Sequence, residues 1–331
     1  MQITVLCKVV DNFGDIGVVY RLSKQLKKLN PTNQINLVTD NLQSFNKICS
    51  VVRCGVPFQS VEGLNVYDWN AADFCHEAFS KNDGEMLQII LECFQCGRPD
   101  WMENILFEEK LNRTVHIIMI DYLTAEPYAE DFHCLQSLTR SAKVQKVNFM
   151  PGFTQKTGGL TIDEQWKEIP QWNENGPVLV FIYNNKGAAL FPEEKYLPYM
   201  NQTDWDKMMK GCSALVIRGE ETMSRACLSG IPFIWQAYPQ SEEYHLVKVK
   251  ALLERMRPHF EACEFEIVEK AWLEINNGTP FDMQSACNKA FFSSLKALRP
   301  GFVSFAASLR KIGDLAANLM TYIEKLDIID R

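Results

Sequence analysis

One stretch limits the possible folds more than any other: Ala214-Leu-Val-Ile-Arg-Gly-Glu-Glu-Thr-Met-Ser-Arg-Ala-Cys-Leu-Ser-Gly-Ile-Pro-Phe-Ile-Trp235. Residues 214–217 form a short apolar strand and Arg218-Gly219 a turn. Glu220, Glu221 and Thr222 stand where a helix begins, because acids and Thr meet its unpaired N–H groups. Gly230 ends that helix, and 232–235 reads as the next buried strand. A strand–turn–helix–strand unit of this kind builds a parallel sheet. Its turn lies at the carboxyl end of a strand, where open α/β sheets bind ligands.

The chemistry at this turn suits a pyrophosphate. A helix N-terminus offers free N–H groups and a positive dipole end, Arg218 a fork-shaped fixed cation, and Thr222 a hydroxyl. Glu220 and Glu221 repel such a ligand if they point inward, so at least one is expected to turn to sugar hydroxyls or hold Arg218. An ordinary helix cap with an Arg–Glu surface pair explains the same residues, and the local pattern does not choose between the two.

The chain also begins with a βαβ unit: a strand over 2–10, a helix over 18–29 with Val19, Leu22, Leu26 and Leu29 on one face, and a strand over 35–38. Its first turn, Asp11-Asn-Phe-Gly-Asp-Ile-Gly17, lacks the Gly-rich dinucleotide fingerprint, which argues against a dehydrogenase. Asp11 and Asp15 repel a phosphate placed between them and welcome a cation, a metal, or a hydroxyl or guanidinium awaiting deprotonation. The plainer alternative makes Asp11 an Asx-turn and Asp15 a helix cap. The expectation is that one of them does this and the other faces a cleft.

Further strands are expected over 64–69, 87–93, 115–120 and 144–149. The loops 94–99, 121–127 and 150–159 follow the last three and are placed to share a rim with Asp11 and Asp15. A second α/β domain starts at 177–183, with Phe181 and Tyr183 on one face. Pro198, Tyr199, Gln202 and Trp205 gather before a short helix over 205–209. These rings could stack on a nucleobase whose edge Gln202 reads, although each ring taken singly reads as core. Tyr238-Pro-Gln240 opens another strand-to-helix turn. Phe302, Phe305, Leu309, Ile312, Leu315, Leu319, Ile323 and Leu326 recur at three and four residues, which predicts one long amphipathic helix packed across both domains.

The 331 residues accommodate two cores. We expect an N-terminal domain over 1–160, a linker over 161–176 and a C-terminal domain over 177–309, with the helix of about 310–331 packing back on the first. The net charge of −7 argues against general nucleic-acid binding. No apolar run reaches membrane-spanning length, and the chain starts as a strand without a signal peptide. The eleven cysteines lack regular spacing and read as reduced, buried thiols of a cytoplasmic protein. Cys93-Phe-Gln-Cys96 has metal-type spacing without a second pair, so no zinc site is expected.

Two Rossmann-like halves with a late β-turn-α-Gly-x-Pro-β unit resemble a GT-B glycosyltransferase, two domains facing a central cleft. The resemblance tightens in Val9-Val-Asp-Asn-Phe-Gly-Asp-Ile-Gly-Val18, Met150-Pro-Gly-Phe-Thr154, Thr157-Gly-Gly-Leu160, Arg218-Gly-Glu220 and Tyr238-Pro-Gln240. In this order they are similar to the elongation factor P arginine rhamnosyltransferases, the EarP family of bacteria. That resemblance implies an inverting, metal-independent transferase without a cofactor. It would move L-rhamnose from dTDP-β-L-rhamnose to an arginine of elongation factor P, which is thereby activated for rescue of polyproline-stalled ribosomes. It implies that Asp11, Asp15 and Glu220 are catalytic, Asp15 being taken as the base. Phe181, Tyr183, Tyr199, Gln202 and Trp205 would line the thymine and deoxyribose pocket. Arg218, Glu221, Thr222, Tyr238 and Gln240 would lie in the diphosphate and sugar region. The family commonly has Asp-Ser at 221–222 and Phe at 199 and 205, so pocket shape and base preference stay open. Two rival readings remain: a GT-B enzyme with another nucleotide sugar and a small-molecule acceptor, and a non-catalytic nucleotide-sugar-binding protein.

Overall fold

The structure is a computed structural model that describes residues 1–10, 13–81, 88–183, 187–193 and 195–329. The chain divides into two compact units. Unit 1 contains Met1–Leu123, Tyr128–Thr161 and everything from Gly313 on; unit 2 contains Thr124–Pro127 and Ile162–Ile312.

Mostly apolar runs such as Ile3–Cys7 and Ile89–Cys93, each broken by a single polar residue (Thr4, Glu92), demand burial on both faces, and unit 1 supplies it. Its strands are β1 (Gln2–Cys7), β2 (Gln34–Thr39), β3 (Phe58–Val61), β4 (Leu64–Asp68), β5 (Ile89–Cys93), β6 (Val115–Ile120), β7 (Gln136–Ser137) and β8 (Val144–Phe149). They lie in the order β3-β4-β2-β1-β5-β6-β8-β7. The strands from β4 to β8 in that order are parallel, and β3 and β7 are antiparallel edges. On one face Ile3, Val5 and Leu91 pack with Val19, Leu22 and Leu26 of the helix Gly14–Leu29. On the other, Leu6 and Ile90 pack with Phe79, Trp101 and Ile105. The chain leaves β1 toward β2 and β4, then returns to β5 on the opposite side. The switch point of the sheet therefore lies at the carboxyl ends of β1 and β5.

Unit 2 holds β9 (Val178–Phe181), β10 (Ala189–Phe191), β11 (Lys195–Tyr196), β12 (Ala214–Arg218) and β13 (Phe233–Gln236), in the order β11-β10-β9-β12-β13. β9, β12 and β13 run parallel, so Phe181, Arg218 and Gln236 end on one rim. Residues 162–176, read from sequence as linker, count with this unit. Trp166 is fully buried, and its carbonyl and that of Lys167 accept N–H bonds from Arg310 (2.7 and 2.8 Å).

The periodic C-terminal stretch is two helices rather than one, Leu295–Ile312 and Leu315–Ile329. Gly313 adopts φ +99°, and the Asp314 carboxylate accepts from the N–H of Ala317 at 3.0 Å, so one helix stops and the next is capped. Phe302, Phe305 and Leu309 are buried in unit 2, whereas Leu315, Leu319 and Ile323 belong to the unit 1 core. The apolar spacing survives the break, which is why periodicity alone did not reveal it.

Candidate functional site

One candidate site is the switch point of unit 1. Asp15 sits in the first turn of the helix Gly14–Leu29 and is only 3% exposed. One carboxylate oxygen accepts the backbone N–H of Val10 (2.9 Å), and the other accepts the hydroxyl of Tyr122 (3.2 Å). Asp15 does not cap the helix, whose N-cap is Phe13 without a side-chain bond; its carboxylate instead ties Val10, after β1, to Tyr122 of the loop after β6. Asp11 lies outside the described residues.

Tyr122 is held in turn by Phe94, with ring centroids 4.4 Å apart and planes inclined by 16°. Phe94 and Gln95 both have left-handed backbones (φ 57° and 52°), and Cys96 N–H bonds to Cys93 O at 3.1 Å. This is a tight turn of the kind that usually carries Asn or Gly. Two bulky residues in that conformation store strain, a feature that concentrates at functional sites. The Gln95 amide donates to Asp121 (3.1 Å), so the loops after β5 and β6 are tied together. Burial pushes the thiols of Cys7, Cys93 and Cys96 up, that of Cys96 to about 12. At neutral pH they stay protonated. All eleven cysteines are free thiols. Among the described residues, no group of three or more His, Cys, Asp and Glu is placed to hold a metal ion.

A separate candidate site lies in unit 2. The Arg218 guanidinium rests over the rings of Phe181 (4.4 Å) and Tyr183 (4.7 Å). Trp205 meets Phe181 edge-on at 5.2 Å, and Tyr238 meets Tyr183 the same way at 5.2 Å. Five predicted residues therefore form one aromatic and cationic group at the ends of β9 and β12. Gln236 fixes the strand end by accepting the Tyr183 N–H (2.7 Å).

The helix Glu220–Ser229 starts at Gly219, where φ is +74° and a side chain would be strained, and stops at the left-handed Gly230. Within it, Glu221 faces the buried Arg225 (3.6 Å), while Glu220 faces Lys248 (3.4 Å). Thr222 is half-buried in the first turn. Tyr199 is 60% exposed. Gln240 is exposed, and its backbone N–H donates to His245 (3.4 Å). The helix expected to follow Gln202 instead begins with it: Gln202–Lys210 is capped by the Asn201 side chain, which accepts the Asp204 N–H at 3.0 Å. The local signal for this start is Asn201-x-x-Asp204, a side-chain acceptor three residues before the N–H it caps.

Sequence reasoning missed Tyr122, Phe94, Gln236 and Lys248. Phe94 and Tyr122 occupy loops already placed on the rim, and Gln236 ends a strand of the organising unit. Nothing local marks Lys248, which sits in the middle of the helix Tyr244–Met256.

Two Rossmann-like units in series, one presenting a buried acid at its switch point and the other an aromatic-lined strand end, have the build of a GT-B glycosyltransferase. The family model described as elongation factor P (EF-P) rhamnosyltransferase EarP matches residues 3–176 and 193–324. The chain belongs to this EarP family.

A protein-arginine rhamnosyltransferase of Pseudomonas aeruginosa is 26% identical over 83% of this chain and 86% of its own length. That of Shewanella oneidensis is 25% identical over 97% of each. Among solved structures, one of EarP-mediated arginine glycosylation of translation elongation factor EF-P aligns at TM-score 0.45 and 16% identity, over 97% of this chain and 98% of the other. A glycosyltransferase of kitacinnamycin aligns at TM-score 0.49 and 10% identity, over 98% of each.

Proposed function

We propose that this protein transfers L-rhamnose from dTDP-β-L-rhamnose to one arginine guanidinium of elongation factor P, with inversion at the anomeric carbon and without a metal. The observation that carries the reading is the buried, doubly hydrogen-bonded Asp15 carboxylate at the switch point of a parallel sheet. An arginine guanidinium is fully protonated and a poor nucleophile in water. A carboxylate that cannot turn away can orient it and take its proton at the moment of attack. A guanidinium nitrogen then forms the bond to the anomeric carbon from the face opposite the diphosphate. The bond from that carbon to the diphosphate oxygen breaks, the proton passes to Asp15, and dTDP leaves with the electron pair.

The unit 2 residues supply the complementary half. The rings of Phe181, Tyr183 and Trp205 offer stacking for thymine and deoxyribose. Arg218, braced on two of those rings, keeps its N–H edges for the developing charge on the diphosphate, together with the helix N-terminus at Glu220. Glu220 serves the sugar hydroxyls, with Lys248 steadying its carboxylate.

The test is the intact mass of elongation factor P after incubation with this protein and dTDP-L-rhamnose in EDTA. The expected result is a gain of one deoxyhexose mapped to a single arginine, absent with Asp15→Asn. No gain, with dTDP still bound, overturns the assigned donor or acceptor. Full turnover by Asp15→Asn removes Asp15 as base.

A further inference from the structure

Beside the switch point, unit 1 contains a cavity of about 560 Å³ that the proposed transfer step leaves unused. Met119 and Met150 give it flexible aliphatic walls, and Tyr128 and Phe132 give it an aromatic lip. Those two rings meet edge-on at 6.0 Å yet remain 40% and 47% exposed. Large aromatics left in water beside a concavity mark a surface that a partner covers.

Gln95, Asn148 and Asp121 are the polar lining of this cavity, and Asp121 is its carboxylate. This carboxylate accepts the N–H of Tyr122 (2.8 Å) and the Gln95 amide (3.1 Å). Both donors are neutral, so they orient the charge without cancelling it. Among the described residues, no Lys, Arg or His forms an ion pair with Asp121, whereas the acid Glu130 on the same rim is paired with Lys156 (3.4 Å). Aliphatic walls, an aromatic lip and an oriented carboxylate without a cationic partner together match one chemistry: a long basic side chain. Its stem would lie on the methionines and its cation between the rings and the acid.

We propose that this cavity receives a second basic side chain, Lys or Arg, of the protein acceptor, and so sets the register in which the modified arginine meets Asp15. The placement supports the link, because Asp121 is followed directly by Tyr122, the residue that holds Asp15. The inference rests on the acceptor being a protein, as proposed above. Charge complementarity selects this occupant: an anionic ligand would meet Asp121, and a purely apolar one would leave that carboxylate desolvated without a counter-charge.

The experiment is calorimetric binding of elongation factor P to the full-length wild type, Asp121→Asn and Phe132→Ala, in the absence of donor. KM and kcat are then measured with dTDP-L-rhamnose. Each variant is expected to raise the acceptor Kd and KM by about tenfold, the loss of one partly buried charge pair or ring anchor. The kcat at saturating acceptor and the affinity for dTDP stay unchanged. Asp121→Lys should weaken binding further and be rescued by one Lys→Glu or Arg→Glu change in the acceptor, which identifies the occupant. Wild-type affinity in both single variants, or no rescue by any such change, overturns the proposal while leaving the transferase reading intact. Acceptor binding without transfer refutes the assigned donor and leaves the cavity assignment standing. No binding of the acceptor to the wild type overturns both.

Discussion

Replacing Tyr122 by Phe removes one oxygen and leaves the ring in place. Its hydroxyl donates to Asp15 at 3.2 Å, while the ring stacks on Phe94 at 4.4 Å. A hydrogen bond to a charged group contributes about 1.5–3 kcal/mol. This one is long, and Tyr122 is 38% exposed, so the lower end applies, about 1.5 kcal/mol. The Val10 N–H still holds the other carboxylate oxygen, so Asp15 is loosened rather than orphaned. With Asp15 as base, the loosening costs alignment at the moment of proton transfer. The expected result is a kcat about tenfold lower, since ~1.4 kcal/mol is one decade. The KM values for donor and acceptor should stay near wild type, because the stack persists, and the stability should fall by no more than the same ~1.5 kcal/mol. Steady-state kinetics with elongation factor P and dTDP-L-rhamnose, alongside a urea melt, read both. An unchanged kcat would refute the reasoning. So would a loss of stability well beyond that figure, because Tyr122 would then be a packing residue.

Two further outcomes follow from packing and titration in unit 1. An alanine Cβ at Gly158 would lie 2.6 Å from the Phe149 ring and 2.9 Å from Leu315, so Gly158→Ala should destabilise by about 1–3 kcal/mol in denaturant titration. The His133 Nδ1 accepts the Met150 N–H at 3.1 Å and so needs the neutral ring, and burial holds its pKa below the ordinary 6.5. The unfolded chain takes up that proton first as pH falls. This contribution to stability is therefore complete above 6.5 and is lost as pH drops through the lowered folded value. His133→Asn, whose carbonyl oxygen can accept the same N–H, should flatten that part of the pH–stability curve, and an unchanged curve would count against the assignment.

The organising unit was legible almost to the residue. The strand Ala214–Arg218, the helix Glu220–Ser229 and the left-handed Gly230 agree with the sequence pattern. Each depends on neighbours a few positions away: an apolar run, acids at unpaired N–H groups, a glycine where other residues are strained. The same local logic located Asp15 at a turn and Phe181 and Tyr183 at a strand end. It also contains the signals for the two boundaries that differ from the expected ones. Asn201 marks the true start of the helix at Gln202, and Gly313-Asp314 is a stop followed by a cap, hidden because the apolar spacing continued across it.

The sequence by itself determined the class of fold, two Rossmann-like halves, and the chemical types available at the strand ends, because backbone hydrogen bonding and side-chain periodicity act over short separations. Only the tertiary structure decided which of those groups meet. Tyr122 reaches Asp15 across 107 positions and Gln236 reaches Tyr183 across 53. Both contacts depend on strand order and register, which bring together loops that no local rule connects. The cavity at Asp121 has the same origin, since β5, β6 and β8 must lie side by side before their loops can enclose it.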